Sequence, residues 1–371
     1  MTKKMSLITI VMLCFSLLGL FDLIIGNKWG LGEQFERGIM LLGTMAMSMI
    51  GMLVLAPLLA HLLRPAVEWC SSIIPFEPSI IPSILLANDM GGAPLAIEFA
   101  TNEQVGYFNG LVVASTMGAT ISYTLPFSMR VVDKERHDSL MLGLLCGIVT
   151  VPIGCLVAGL LLSLPLNGLL ASVIPLFIFA GLLAVGLFWI PETCLKGLKI
   201  FGEIIKIIIL IGLGIGILEG LTGMDIVPYT APIEEGMEIC TMGAMVLSGA
   251  FPLIYVLSKL LDKPMKTIGQ KMGINSTAAL GLLATLASCT PTIGTMKDMD
   301  DKGLVLNAAF SVSAAFVFGE HLAFTMSFNS DFVAGMIVCK LVSGIAALVV
   351  ATLLYNIMNK KKALSLHLVD F

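Results

Sequence analysis

The chain has 371 residues, of which 57% are hydrophobic and only 12% are charged, and its formal net charge at pH 7 is −4. Its mean hydropathy of +0.98 corresponds to more apolar surface than one soluble core of this length could bury. The composition excludes a soluble globular protein. It predicts an integral membrane protein surrounded by membrane lipid, with no nucleic-acid partner.

Apolar runs follow one another along the chain, and each is long enough to cross the bilayer. About 30 Å of hydrocarbon requires roughly 20 helical residues. Such runs are predicted at 5–26, 38–63, 105–128, 139–164, 169–190, 200–222, 237–261, 303–327 and 333–357. The first run follows Lys3 and Lys4 as a signal peptide would, but it is too long and contains Asp22, so we interpret it as retained.

Two further apolar stretches contain residues that break helices. Proline and glycine interrupt 73–98, and 273–297 breaks between Ser288 and Gly294. Irregular backbone at membrane depth needs internal hydrogen-bond partners or water. Each stretch is therefore either an interrupted spanning helix or a re-entrant hairpin that returns to the side from which it entered.

The distribution of lysine and arginine favours hairpins, because cytoplasmic loops collect these residues. With two hairpins and an external N-terminus, the loop cations lie inside except for Lys3, Lys4 and Arg64. With two spanning segments and an internal N-terminus, the two sides carry more similar numbers. The hairpin arrangement also places an odd number of crossings between the two halves of the chain, which makes any repeat inverted.

The two halves do repeat each other, at a spacing of about two hundred residues. The matching pairs are Gly43 with Gly243, Pro65 with Pro264, Leu86-Ala87 with Leu286-Ala287, Asn109 with Asn307, Gly118 with Gly319, and Tyr123-Thr124 with Phe324-Thr325.

We therefore predict an all-α polytopic membrane protein with about 9–11 transmembrane segments, built from two inverted structural repeats that each contain a broken or re-entrant segment. The first repeat covers 1–165 with the broken segment 73–98. A connecting transmembrane helix covers 166–199. The second repeat covers 200–371 with the broken segment 273–297.

Asn88 and Asp89 are the first candidate binding residues. They interrupt an apolar run and precede Gly91-Gly92, which permit a tight turn and close approach of the backbone to a small ligand. The alternative role is a helix N-cap, which needs no ligand. An intramembrane carboxylate is costly and tends to be functional, so binding is the favoured interpretation.

Glu320 and His321 lie within the predicted span 303–327. They form either a mutually satisfied core pair or a cation site or proton relay. Asn109 and Asn307 occupy equivalent positions, where their amides either brace the hairpins, which is the favoured interpretation, or bind a hydroxyl group.

Other acids carry weaker signals. Asp22 and Glu219 fall near the ends of corresponding spans, where a lone acid ordinarily reaches the interface. Asp298, Asp300 and Asp301 are interpreted as a solvated loop. The chain has no metal-binding helix motif, phosphate loop or nucleophile elbow, so we expect no cofactor, no metal and no enzymatic activity.

The sequence resembles a known family in two runs. Leu85-Leu86-Ala87-Asn88-Asp89-Met90-Gly91-Gly92 is the first, and the second extends from Met296-Lys297-Asp298-Met299-Asp300-Asp301 to Phe318-Gly319-Glu320-His321-Leu322. Both are similar to the ethanolamine permeases of the ethanolamine-utilisation system, the EutH family. The resemblance covers nearly the whole chain. It implies import of ethanolamine across the bacterial cytoplasmic membrane, to feed a cobalamin-dependent lyase inside a microcompartment.

The resemblance suggests roles for the candidate residues. Ethanolamine is mostly protonated near neutral pH, so Asp89 and Glu320 are expected on its ammonium group. Asn88, Asn109 and Asn307 are expected to orient its hydroxyl. The faces of Phe108, Tyr123 and Phe318 could add cation–π attraction of roughly 0.5–2 kcal/mol.

Several alternatives stay open at this point. The substrate could be another small amine or zwitterion, and transport could be passive or coupled to Na⁺ or H⁺. A homo-oligomer is compatible with the sequence. From a different class, a membrane scaffold or receptor without transport is disfavoured, because the loops are short and the polar residues lie in the spans.

Overall fold

The structure is a computed structural model that describes residues 6–73 and 76–369, and within these ranges the chain forms helices and connecting turns without strands. The helices in chain order are α1 (Leu7–Ile24), α2 (Leu31–Ile73), α3 (Ile80–Leu85), α4 (Gly92–Phe99), α5 (Glu103–Phe108), α6 (Leu125–Val131), α7 (His137–Leu161), α8 (Leu166–Trp189), α9 (Pro191–Thr222), α10 (Ile233–Met272), α11 (Ser276–Thr285), α12 (Cys289–Gly294), α13 (Asp301–Ala314), α14 (Glu320–Asn329) and α15 (Val333–Val369).

Seven helical stretches in the described part of the chain are long and apolar enough to cross a membrane. They are Leu7–Ile24, Leu31–Ile73, Lys134–Leu161, Leu166–Trp189, Pro191–Thr222, Ile233–Met272 and Glu320–Lys360. An all-α polytopic membrane protein is therefore confirmed. The predicted spans 105–128 and 303–327 are not among the seven as continuous α-helices, because each is divided into shorter pieces.

The predicted span 105–128 stays helical, but the helical turns in its middle part are wider than those of an α-helix. Between α5 and α6 the backbone forms π-helical turns over Asn109–Gly118 and Thr120–Thr124. Hydroxyl groups bond to backbone carbonyls here: Thr120 Oγ1 donates to the carbonyl of Thr116 over 2.8 Å and to that of Val312 over 2.9 Å. These widened turns therefore join the helix to α13, and π-bulges often mark functional positions.

The predicted span 303–327 is interrupted by a stretch that is not helical. After α13 ends, residues 315–319 leave the helix, and α14 begins at Glu320. Phe316 has a φ of 63°, which is unusual for a bulky residue. The expectation of one continuous span over 303–327 is therefore wrong, and Glu320 lies at the start of a helix rather than in the middle of one.

Both predicted broken segments are helix–turn–helix units whose ends lie side by side. In the first hairpin (77–101), the Glu77 carboxylate accepts the backbone N–H of Thr101 over 2.8 Å and also the Thr101 hydroxyl. In the second hairpin (275–300), the backbone N–H of Asn275 donates to Asp300 Oδ1 over 2.9 Å. Its side-chain amide donates to the carbonyl of Asp298, also over 2.9 Å.

The helices pack in two groups. A scaffold group consists of α1, α2, α9 and α10. A core group contains the two hairpins, the interrupted helices, α7 and α15, and it meets the scaffold along α2 and α10. Gly51 and Gly212 allow α2 and α9 to touch, since a Cβ on either would overlap the backbone of the other helix.

Asp22 and Glu219 bind backbone N–H groups at the start of α2 and in the loop before α10, the two longest helices. Asp22 accepts backbone N–H groups of Trp29, Leu31 and Gly32 at the start of α2. Glu219 accepts those of Ile226 and Val227 in the loop before α10. The Asp22 side chain is buried and stabilises a helix start.

Candidate functional site

The turn of the first hairpin brings two predicted acids together. The turn Asn88–Met90 packs against α14, and the charges of Asp89 and Glu320 lie within electrostatic range of each other. Both side chains are partly buried. Two carboxylates in a poorly solvated place repel each other, so the arrangement favours a bound cation between them.

Asn88 leaves its hydrogen-bonding capacity unused. Its side chain is fully buried, and neither its amide nitrogen nor its oxygen has a partner in the described part of the chain. It makes no capping bond, so the N-cap role finds no support at this residue. Asp89 Oδ1 is likewise buried and has no partner among the described residues. Buried polar groups are normally paired, so these atoms are free for a ligand.

On the other side of the site, α14 contributes further unpaired groups. His321 Nδ1 and Thr325 Oγ1 are buried and find no partner in 6–73 or 76–369. They lie one turn apart on the same helix face. The His321 ring is 5.0 Å from the ring of Phe316. Glu320 and His321 form no bond with each other, so the interpretation as a mutually satisfied pair finds no support.

Asn109 and Asn307 hold the bases of the hairpins. The Asn109 amide donates to the hydroxyls of Ser79 and Ser172 over 2.8 and 2.9 Å. The Asn307 amide donates to the carbonyl of Ala278 over 2.9 Å. Both residues are fully buried.

The hydrogen bonds of these amides support the bracing interpretation. Asn109 begins the widened segment Asn109–Gly118, which packs along the first hairpin. A Cβ on Gly110 would overlap the backbone of Ala93, and one on Gly118 would overlap the carbonyl of Leu86.

Of the three aromatic residues expected to contribute cation–π attraction, Tyr123 contacts the second hairpin. Its hydroxyl lies 2.8 Å from Thr290 Oγ1, at the start of α12. Its ring is 5.8 Å from that of Phe316. Phe108 is fully buried beside Asn109, and Phe318 lies in the interruption between α13 and α14.

Sequence reasoning missed Lys340. This residue on α15 is buried, and its ammonium group donates to the backbone carbonyls of Ser115, Ser313 and Ala315. It lies within electrostatic range of Asp89. The sequence could have identified Lys340, because it is the charged residue of the apolar run 333–357. An ionisable residue inside such a run indicates function.

A separate apolar groove of about 340 Å³ lies between the first hairpin, α2 and α9. Met52, Leu86, Leu95, Phe99 and Phe201 are among its lining residues. A hydroxylated ammonium ion has no polar partner in this groove, so the groove is not the candidate site. Within the described ranges, no group of three acidic, histidine or cysteine residues is placed to hold a metal ion.

Spanning helices around two broken hairpins, with unpaired polar groups at the first hairpin turn and on α14, define a membrane transport protein. The chain belongs to the family described as "Ethanolamine utilisation protein, EutH", whose model matches residues 5–354. The resemblance seen in the sequence is thereby confirmed.

The chain is similar over most of its length to proteins of other bacteria. It is 43% identical to the "Probable ethanolamine permease EutH" of Listeria monocytogenes, over 96% of this chain and 95% of that protein. It is 37% identical to the protein of the same name from Salmonella typhimurium, over 88% and 86%. It is 35% identical to the "Uncharacterized protein YxeR" of Bacillus subtilis, over 92% of each. No solved structure matches the chain.

These relatives confirm a multi-pass bacterial membrane protein. Because relatives in Listeria monocytogenes and Salmonella typhimurium are named as probable permeases, the expectation of a transport protein rather than an enzyme is also confirmed.

Proposed function

We propose that the protein imports ethanolamine into the bacterial cytoplasm and so supplies ethanolamine catabolism. The family and the names of its relatives support this function. The structural observation that carries it is the packing of the turn Asn88–Met90, which contains Asp89, against α14, which begins at Glu320. A small hydroxylated ammonium ion matches this site in charge and in hydrogen-bonding groups.

In the proposed binding mode, the ammonium group lies between Asp89 and Glu320. Their mutual repulsion is relieved when a cation binds. The Asn88 amide can both donate to and accept from the substrate hydroxyl, and it is buried without a partner in the described chain. His321 provides a further acceptor or donor through Nδ1. We propose that Asn109 and Asn307 contribute indirectly, by bracing the hairpins.

We further propose that both hairpins are re-entrant and that they belong to inverted repeats over 1–165 and 200–371, joined by a connecting helix within 166–199. Similar close contacts at the two hairpin turns support this proposal. A Cβ on Gly118 would overlap the carbonyl of Leu86, and one on Gly319 would overlap the carbonyl of Ala287. These are the positions at which the two halves of the sequence match best.

The division into scaffold and core suggests how access alternates. The candidate site lies on the core, at the tip of a hairpin, while α2 and α10 of the scaffold flank it. Movement of the core against these two helices would expose the site to one side of the membrane and then to the other. Homo-oligomerisation stays a prediction.

Uptake of labelled ethanolamine into proteoliposomes tests the assignment. Asp89→Asn and Glu320→Gln remove one charge each, and we expect each to lower kcat/KM by about tenfold or more, which corresponds to about 1.4 kcal/mol. Glu203→Gln is the matched control, because this exposed acid on α9 forms only a surface pair with Lys199. Unchanged uptake in both site variants would refute the binding mode.

Counterflow with a panel of labelled small amines and zwitterions then tests the substrate. Ethanolamine should exchange fastest. Dependence of the uptake rate on pH and membrane voltage separates a carrier for the charged form from a passive facilitator of the neutral amine.

A further inference from the structure

Lys340 makes bonds to the widened helix between α5 and α6 and to the end of α13. Its Nζ donates to the carbonyl of Ser115, in the widened turns between α5 and α6. It also donates to the carbonyls of Ser313 over 3.0 Å and Ala315 over 2.9 Å, at the end of α13. One side chain therefore ties the irregular helix of the first half of the chain to that of the second half.

The bonding pattern identifies the group as an ammonium ion. An ammonium carries three N–H donors, whereas a neutral amine carries two and directs a lone pair at the third neighbour. All three neighbours here are acceptors. The α13 helix ends at Ala314, so the carbonyls of Ser313 and Ala315 lie at its negative end and are free of intrahelical bonds.

No acid pairs directly with this cation. Among the described residues, no carboxylate lies within 4.0 Å of the Lys340 nitrogen, and Asp89 acts on it only at longer range. A buried charge without a paired acid needs strong compensating dipoles. The carbonyl oxygens provide them, in the way that backbone oxygens coordinate a hard metal cation.

In carriers built from discontinuous helices, carbonyls freed at helix breaks are the usual ligands of the coupling Na⁺ ion. We propose that the Lys340 ammonium is a tethered cation that occupies this carbonyl site, so the protein needs no Na⁺ there to join the widened helix to the end of α13. The consequence for transport, which rests on the proposed function, is uptake that does not depend on Na⁺.

Two variants of Lys340 separate a cation site from a packing role. Lys340→Ala removes the side chain and leaves the carbonyls and a space that a small ion can enter. Lys340→Met fills the same space without charge or donors. The purified proteins are compared in NaCl and KCl of equal concentration by thermal unfolding. A ligand that binds only the folded state raises the melting temperature.

We expect wild type and Lys340→Met to melt at the same temperature in both salts, and Lys340→Ala to melt several degrees higher in NaCl. Equal melting of Lys340→Ala in the two salts would overturn the proposal. If neither variant folds, the melting temperature of wild type tests the proposal. A higher melting temperature in NaCl than in KCl would show that Na⁺ itself is needed and would overturn the proposal.

Uptake into proteoliposomes provides the second readout. Wild-type ethanolamine uptake should be equal in NaCl and KCl and unaffected by an imposed Na⁺ gradient. Lys340→Ala should lose about tenfold or more in KCl and recover part of this in NaCl, whereas Lys340→Met should stay low in both. Uptake by Lys340→Met at the wild-type rate would overturn the proposal. Failure of wild type to move ethanolamine at all would refute the proposed function instead and leave the melting result to decide on the cation.

Discussion

Phe318 donates its backbone N–H to the carbonyl oxygen of Leu286 over 2.9 Å. The tip of the second hairpin therefore provides a hydrogen-bond partner for the backbone in the interruption between α13 and α14. Phe316 makes the equivalent bond to the carbonyl of Thr285 over 3.2 Å. Backbone groups within a membrane need internal partners. The hairpin and the interrupted helix therefore depend on each other, and neither could be irregular alone.

Substitution of the glycines at these junctions should weaken them. A Cβ at Gly118 or Gly319 would overlap the hairpin carbonyl of Leu86 or Ala287. Overpacking of this kind costs about 1–3 kcal/mol. We therefore expect Gly118→Ala and Gly319→Ala to lower the melting temperature of the purified protein and to reduce ethanolamine uptake.

The control for both variants is Gly214→Ala on α9, where no atom lies within 4 Å of an added Cβ. Since alanine favours a helix over glycine, this variant should melt at the wild-type temperature or slightly above it. Wild-type stability and uptake in the Gly118 and Gly319 variants would contradict the close contact.

Much of this organisation could be predicted from the sequence, because lipid imposes simple rules. Length and hydropathy fixed the long helices, and Pro and Gly marked the breaks within 73–98 and 273–297. Asp89 and Glu320 were recognisable because carboxylates are rare in apolar runs. The family resemblance led us to expect both on one ammonium group, but residue patterns alone do not show their proximity, since it depends on how the first hairpin packs against α14.

The interruption at 315–319 could not be predicted, for a physical reason. Phe316-Val317-Phe318-Gly319 is apolar and contains no proline, so its local preference does not oppose a helix strongly. Tertiary hydrogen bonds to Thr285 and Leu286 break the helix instead. Lys340 was within reach of sequence reasoning, but its carbonyl partners exist only because of that same interruption.

The bracing amides should affect stability more than substrate affinity. Asn307→Ala removes a donor from the buried carbonyl of Ala278, and Asn109→Ala removes one from Ser79 and Ser172. A buried group left without its partner costs about 1–3 kcal/mol. Both variants should therefore melt at lower temperature, while the KM for ethanolamine stays close to that of wild type.

Asn88→Ala is the matched comparison, because its amide has no protein partner in the described ranges. It should melt like wild type and raise KM. The reverse pattern, with a raised KM and unchanged melting in Asn307→Ala, would assign substrate contact to Asn307.

Arg136 should stabilise residues 296–301, at the end of the second hairpin, mainly through hydrogen bonds to backbone carbonyls. Its guanidinium donates to the carbonyls of Met296 and Met299 and to Asp301 Oδ1 over 2.5, 2.8 and 3.1 Å. The Asp301 side chain is 69% exposed, and exposed ion pairs contribute about 0–1 kcal/mol. We expect Arg136→Ala to accelerate hydrogen exchange of amides 296–301 strongly, and Asp301→Asn to change it little. Equal acceleration in the two variants would show that the ion pair, rather than the carbonyl contacts, holds this loop.

Labelling of introduced cysteines tests whether the hairpins re-enter. Exposed residues lie on both sides of the first hairpin and before and near the end of the second, so Ser72→Cys and Gln104→Cys report on the first hairpin, and Lys271→Cys and Lys297→Cys on the second. A membrane-impermeant thiol reagent is added to intact cells, in a background in which Cys14, Cys70 and Cys194 are replaced. The first pair should react from outside, and the second pair only after permeabilisation.

Asp225→Cys and Lys263→Cys calibrate the two sides, because the hairpin and the spanning arrangements both place position 225 outside and position 263 inside under the charge rule. The members of each test pair must then react from the same side, since a re-entrant segment begins and ends there. If Lys271→Cys and Lys297→Cys react from opposite sides, the second hairpin spans the membrane. Lys297 would then be an external cation, and the inverted repeat would fail together with the alternating access that depends on it.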